Sequence, residues 1–479
     1  MKRPRAVVAL IVLALAGLAG VLAWRSRAWP LIHDAPLMHY IAWRIGEGAV
    51  PYRDVFDMNF PGVYLLHLLA LKLFGAGDAG WRAFDLTWLA LTSLAAAALA
   101  APWGRLAAGG AGLFFAVYHL AAGAWQTGQR DFLLCPFLLL GALGVARWAE
   151  RPTKPASLAW GGLVLGAGIT VKPHAGLFAA ALLVLVAVVA RGATRPVVTF
   201  AVAFAGPVLA VVAWLAAAGA LAAWYEIVVG YLVPLYSRLG RPAHWTFYRW
   251  HVWIPIAAGV ALSLGSALAS RRFGVRHAVV TLGLGYGVAH FFVQGKGWEY
   301  HLYPLAAFAA VALFAEIERL VEAGRPAAIP VAACVVAAAI MLGLKGVEAS
   351  DAAWIASKQH RVEALVADLD GRIGPGDFVQ VLDTTEAGVH ALLRLRAVPP
   401  TRFIYDFHFY HDDQTPTVQR LRAEFLAGFD AHPPKFVVLF ERGWPGGGYE
   451  RVDEFPGLRR RLLGYRVDRR GDGYIVYAR

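Results

Sequence analysis

The chain opens MKRPRAVVALIVLALAGLAGVLAWRSRAWPLIHDAPLMHY, residues 1–40, and this stretch governs how the remainder reads. Lys2, Arg3 and Arg5 precede an apolar run over 6–24, close to the roughly 20 residues that cross a hydrocarbon core as a helix. The run ends at Trp24-Arg25-Ser26-Arg27 with no clean small-x-small cleavage site, so it reads as an uncleaved anchor and not a signal peptide. A basic entry puts the N-terminus in the cytoplasm and carries Asp34, a few residues past the run, to the outer membrane surface.

Working outward, apolar runs recur at 81–102, 104–122, 132–149, 157–172, 175–190, 196–222, 251–270, 278–293, 302–320 and 328–346. With the first, that makes about eleven transmembrane helices. The turns that alternate to the cytoplasmic side carry Arg105, Arg147/Arg151/Lys154, Arg191/Arg195, Arg271/Arg272/Arg276 and Arg319/Arg325. Every one is basic, as positive-inside bias requires. Nine of the 13 acidic residues before 347 fall on the opposite side or at its helix ends, and the same parity puts the C-terminal segment outside the cell. In the Lys172-Pro173-His174 stretch, a turn between two helices and a single broken helix both fit.

The composition agrees with this reading. The chain is 58% hydrophobic and only 16% charged, with mean hydropathy +0.53, which excludes disorder and most soluble enzymes. The +13 charge does not signal nucleic acid: residues 1–346 carry 27 Lys and Arg against 13 Asp and Glu, and 347–479 carry 18 against 19. Cys135 and Cys334 are too few for a disulfide scaffold or a cysteine-ligated zinc site. Phosphate-loop, dinucleotide, zinc-protease and serine-hydrolase motifs are all missing. We expect a membrane domain over 1–346 and a small α/β cap over 347–479, where β-like runs at 378–382, 435–440 and 474–477 alternate with helix-like 352–369 and 415–430.

Polar residues gather on the outer side. In the first loop, 37–45 is amphipathic enough for an interfacial helix. Asp34 there either caps that helix or serves as a base for an acceptor hydroxyl or amine. Asp54 and Asp57 have Arg53 as a local partner. His33 and His39 suit hydrogen bonding better than metal ligation. Asp131, in Gln129-Arg130-Asp131, reads either as a favourable helix N-terminal charge or as a pocket acid facing Asp34. Lys172, Lys296 and His301, at two outer turns, could hold a phosphate leaving group. Trp298, Tyr300 and Tyr303 fit an aromatic belt or a sugar platform. The segment 223–250 mixes aromatic residues with Arg238, Arg241 and Arg249 and suits carbohydrate contact and an interfacial helix equally.

These residues resemble the polytopic GT-C glycosyltransferases, the class that includes protein mannosyltransferases and bacterial aminoarabinose transferases. The resemblance covers about 1–346. It rests on the acid after the first helix, Pro51-Tyr52 through Pro61-Gly62-Val63-Tyr64, Phe74-Gly75 before Trp81-Arg82, Gln129-Arg130-Asp131, Thr170-Val171-Lys172-Pro173, and Lys296 to His301 before Tyr303-Pro304. It implies inverting transfer of a sugar from a polyprenyl-phosphate donor to a lipid, glycan or protein acceptor at the outer face of the cytoplasmic membrane. Under it, Asp34 and Asp131 are the catalytic acids, Arg130, Lys172, Lys296 and His301 bind the donor phosphate, and Tyr52, Asn59, Trp298 and Glu299 line the substrate. No cofactor is required, and a divalent metal has no support from the sequence. Many relatives carry Lys-Pro where this chain has Phe60-Pro61, with Asn59 as a neutral substitute for the lysine, and a second acid where it has Ala35. The rival class is a transporter or flippase of lipid-linked sugars, for which charges at several depths and inverted repeats would speak.

Overall fold

The computed structural model describes residues 2–240, 250–350, 353–383, 385–444 and 446–479. Its helices begin α1 (Lys2–Arg25), α2 (Ala35–Gly46), α3 (Pro61–Phe74), α4 (Asp78–Ala100), α5 (Arg105–Ala122) and α6 (Arg130–Glu150). They continue α7 (Pro155–Val171), α8 (Ala175–Ala190), α9 (Thr194–Ala217), α10 (Leu221–Ile227), α11 (Trp253–Ala269), α12 (Val275–Gln294), α13 (Tyr303–Glu322) and α14 (Ala328–Ser350). The C-terminal part holds α15 (Ala353–Leu369), α16 (Gly388–Leu395), α17 (Pro416–Ala431) and α18 (Pro456–Leu462). With them stand strands β1 (Val379–Leu382), β2 (Phe436–Phe440), β3 (Arg466–Gly471) and β4 (Tyr474–Ala478).

The eleven apolar runs fall one to one on α1, α4 to α9 and α11 to α14. Among the described residues, six helices are long and apolar enough to cross a membrane by length and composition, and α3, α7, α8 and α11 are shorter apolar helices. Leu10, Leu94, Val188, Leu209, Ile254 and Leu344, on six of the helices, stand 63–70% exposed. Side chains of that size left uncovered all round a bundle face lipid.

One end of the bundle is tied by charge. Glu318 of α13 accepts from the Ala107 amide at 2.5 Å and pairs with Arg5 at 3.4 Å, capping the start of α5 beside the start of α1. Arg276 of α12 grips Glu150 of α6 through two bonds of 2.7 Å and reaches the Leu99 carbonyl at 2.9 Å. Residues 5, 99, 107, 150, 276 and 318 therefore share one end, with the sidedness that the alternation of basic turns implies.

Two expectations change in detail, and the alternative at 172–174 is decided. The run 196–222 breaks after Ala217, and α10 restarts at Leu221 beyond Gly219, whose φ is 68°. Helix α2 does not lie on the lipid surface: Pro36, Met38, His39, Tyr40, Ile41 and Ala42 are buried, and the Tyr40 hydroxyl donates to the Ala397 carbonyl of the C-terminal part at 3.0 Å. The helix that does expose leucines in the first loop is α3, through Leu65, Leu69 and Leu73. At 172–174 the chain makes a turn, with the Ala175 amide bonded to the Lys172 carbonyl at 3.1 Å, and the helices on either side are separate.

Helix α3 is seated closely on α7. A Cβ added to Gly62 would lie 2.7 and 2.8 Å from the carbonyl carbon and oxygen of Thr170. Backbone cannot yield there as a side-chain tip does. Gly62→Ala should therefore lower stability by about 1–3 kcal/mol, read as a fall in the thermal midpoint of the purified protein. An unchanged midpoint would mean α3 is free to shift.

The C-terminal sheet has order β1-β2-β4-β3, with β1 parallel to β2 and the other pairs antiparallel. Strands β1 and β2 are buried throughout. The edge strand β3, Arg466-Val467-Asp468-Arg469-Arg470-Gly471, is mostly exposed and charged, a composition that blunts an open sheet edge.

Candidate active site

The loop between α1 and α2 brings His33 and Asp34 to the end of the bundle opposite the Arg276 and Glu318 ties. Asp34 stands at the N-cap position of α2 but makes no side-chain cap hydrogen bond. Its carboxylate instead accepts from Gln129 Nε2 at 2.9 Å, sits 3.8 Å from His33 Nε2, and keeps 25% of its side-chain surface open. Burial pushes this carboxyl up, but His33, Arg130, the Gln129 hydrogen bond and Lys358 together bring it below the usual carboxylate range. Asp34 is thus ionised, with accepting capacity to spare.

It opens onto a cavity of about 600 Å³ between the membrane helices and the C-terminal part. The first loop contributes Asp34, Asp57 and Asn59, and α6 contributes Arg130. Aromatic walls come from Trp125, Tyr236, Trp298 and Tyr300 on one side and from Trp354, Tyr405, Phe407 and Trp444 on the other. Lys358 of α15 also lines it, its Nζ bonded to the Thr385 carbonyl at 2.6 Å and 3.4 Å from Glu386. The Arg130 guanidinium bonds the Asn59 side-chain oxygen. One wall therefore carries an ionised carboxylate and a guanidinium whose side-chain partner is a neutral amide.

Of the residues expected from the sequence, Asp34, Arg130, Asn59, Trp298 and Glu299 line this cavity. Glu299 does so while paired with Lys345. The others are elsewhere, for identifiable reasons. Asp131 is wholly buried and does not face Asp34; Lys172 Nζ holds its two oxygens at 2.8 and 2.6 Å, and His290 and Gln294 of α12 complete its shell. Lys172 is consumed by that pairing. Lys296 donates to the Tyr236 and Leu239 carbonyls at 2.7 and 2.5 Å and lies against the Tyr236 ring, with burial lowering its pKa to about 8. His301 is buried edge-on to His290, and burial holds it well below the usual imidazole range, hence neutral. Tyr52 is buried, its hydroxyl bonded to the Asn59 carbonyl at 2.7 Å, so it supports the wall without forming it.

The other polar residues of the outer loops have partners of their own. Arg53 pairs with Asp54 at 2.8 Å, leaving Asp57 to neutral donors. His39 meets His67 at 2.8 Å in a buried pair against Trp81. Among the described residues no three His, Cys, Asp or Glu side chains converge as metal ligands. In 223–250, Tyr236 reaches the cavity and Tyr231 bonds His411 at 2.6 Å. Arg241, His244, Trp245, Tyr248 and Arg249 lie outside the described residues.

Neither a family model nor a curated protein sequence matches the chain. Solved structures do. ArnT from Cupriavidus metallidurans, bound to undecaprenyl phosphate, superposes with TM-score 0.61 at 13% identity, over 98% of this chain and 97% of its own. The chain has the ArnT fold. The oligosaccharyltransferase of Archaeoglobus fulgidus in the apo form matches with TM-score 0.52 at 12% identity, over 95% of this chain and 71% of its own. The oligosaccharyltransferase AglB from Archaeoglobus fulgidus, in complex with an inhibitory peptide and a dolichol-phosphate, matches with TM-score 0.50 at 11% identity, over 95% and 70%. The shared fold, together with the apolar helices, makes the chain a multi-pass membrane protein.

Proposed function

We propose that the protein is an inverting membrane glycosyltransferase that takes a sugar from a polyprenyl-phosphate donor and passes it to a lipid, glycan or protein acceptor. The observation that carries this reading is the placement of ionised Asp34 and amide-bonded Arg130 on one wall of a cavity that can hold a sugar. In the reaction the acceptor oxygen or nitrogen bonds to the anomeric carbon, and the bond from that carbon to the phosphate oxygen breaks. Asp34 takes the acceptor proton, and the departing polyprenyl phosphate keeps the electron pair, its negative charge met by Arg130. One displacement inverts the anomeric centre, and no metal enters the scheme. A glycoside hydrolase pairs two carboxyl groups because its leaving alkoxide needs a proton; a phosphate leaves without one.

The aromatic walls suit the C–H faces of a sugar ring. We place the N-terminus in the cytoplasm and the C-terminal cap in the periplasm, which follows from the basic turns and from the chemistry. Beyond the inner membrane an activated sugar must arrive attached to lipid.

Purified protein in lipid vesicles, given radiolabelled polyprenyl-phosphate sugars and candidate acceptors, should move the label to an acceptor. Label that crosses the bilayer still on its carrier, with no transfer, would overturn this reading in favour of a flippase.

A further inference from the structure

Asp57 is 2% exposed, and among the described residues its partners are neutral donors. The Tyr64 hydroxyl donates at 2.5 Å, the Tyr405 hydroxyl at 2.8 Å, and Asn59 through its side-chain nitrogen at 2.7 Å and its backbone N–H at 3.3 Å. Because the Asn59 amide gives its nitrogen to Asp57, its oxygen is turned the other way, and that oxygen accepts from Arg130 Nη1. The four residues form one line: Tyr405 from the C-terminal part, Asp57 and Asn59 from the loop before α3, and Arg130 at the start of α6. The same seam is fastened by the Phe56 amide on the Arg402 carbonyl at 2.7 Å and by Arg402 on the Tyr52 carbonyl at 2.9 Å.

We propose that Tyr405, Asp57 and Asn59 are positioning residues that let the C-terminal part aim the Arg130 guanidinium for phosphate without neutralising it. The inference rests on the reading of Arg130 as the phosphate contact. Its physical content lies in the spacer. A carboxylate touching Arg130 directly would form a two-pronged ion pair and compete with any phosphate for the same N–H groups. With nothing at that position the long side chain would pivot freely. An amide oxygen engages one of the five guanidinium N–H donors and leaves the charge in place, while Asp57, one residue further back, locks the amide the right way round.

This arrangement makes an uncommon ordering of variants. N59D keeps the shape of the side chain and turns the spacer into an ion-pair partner; N59A removes the spacer and leaves the charge. Binding of undecaprenyl phosphate to the purified full-length protein should weaken about 10- to 100-fold in N59D, the scale of a lost charged hydrogen bond, and about two- to tenfold in N59A, the scale of a neutral one. Y405F should raise the donor KM by about two- to tenfold, again one neutral hydrogen bond, with kcat kept close to that of the wild type. N59D binding as well as the wild type, N59A at least as damaging as N59D, or Y405F with an unchanged donor KM would each overturn the proposal. Should N59D fail to fold, Y405F decides alone. A different result would instead remove the reading beneath it: no binding by the wild-type protein, or Arg130→Gln binding as tightly as the wild type.

Discussion

Asp34→Asn should slow sugar transfer by about 10²- to 10⁴-fold, the span associated with loss of a positioned general base, while undecaprenyl phosphate binding changes far less. The amide has the same shape, and Asp34 makes no cap bond to α2 whose loss would unfold the helix. The neighbouring groups impose a further signature. Because His33, Arg130, Gln129 and Lys358 hold the carboxyl below its usual value against the effect of burial, the proton-accepting form persists as pH falls through the ordinary carboxylate range near about 4. It is lost only below that. The kcat/KM profile of the wild type should therefore be flat through neutrality and mild acid with respect to this group, its acid limb lying at or under the ordinary value, and the Asn variant should lack that limb. A lowered pKa makes Asp34 a weak base toward a free acceptor. In the proposed reaction its work is then to orient the acceptor and take the proton late, as the bond to the anomeric carbon forms. Equal transfer by Asp34→Asn and wild type would remove Asp34 from the mechanism.

The membrane helices were legible because lipid imposes one rule, a long apolar run closed by polar ends, and each run from 6–24 to 328–346 obeys it. Helix α3 obeys it badly: fourteen residues opened by Pro61-Gly62 look like punctuation, and only its seat against Thr170 shows why glycine is there. Strand β3 hides for the opposite reason, since a charged edge strand has no apolar alternation to display. Among the residues that line the cavity, Asp34 and Arg130 are legible because a polar side chain at a helix entrance stands out against lipid. Lys172 and Lys296 do not line it, although two charges at one depth look as though they face one cavity. Sequence separation conceals the alternative, that an acid 41 residues earlier has already claimed Lys172. The walls supplied by Trp354, Tyr405, Phe407 and Trp444 lie hundreds of residues from the loop they cover. Their advance signal is the density of rings in Phe403-Ile404-Tyr405-Asp406-Phe407-His408-Phe409-Tyr410 and the Trp444 set between Gly443 and Pro445.

Lys172→Met should destabilise the protein by about 3–5 kcal/mol, the effect of leaving one member of a buried ion pair without its counterion. Asp131 is wholly buried, and Lys172 contacts both of its oxygens; His290 and Gln294 are left to satisfy a full negative charge in a place water does not reach. The pair ties the end of α7 to the start of α6, with α12 closing over it, so the loss should appear as a large fall in thermal midpoint and not as a local change at the cavity. Removing both charges, as in Lys172→Met with Asp131→Leu, should recover much of that stability, because two apolar side chains of similar bulk carry no desolvation penalty. The comparison also separates the two roles the sequence allows for this lysine. A phosphate ligand at the cavity would give, on substitution, a protein that melts as the wild type does and binds donor weakly. A structural counterion gives a protein that melts early and is rescued by deleting its partner. Normal melting of the single variant with weakened donor binding would return Lys172 to the substrate site and break the proposed division of labour, in which Arg130 meets the phosphate and Lys172 holds α6 and α7 together beneath it.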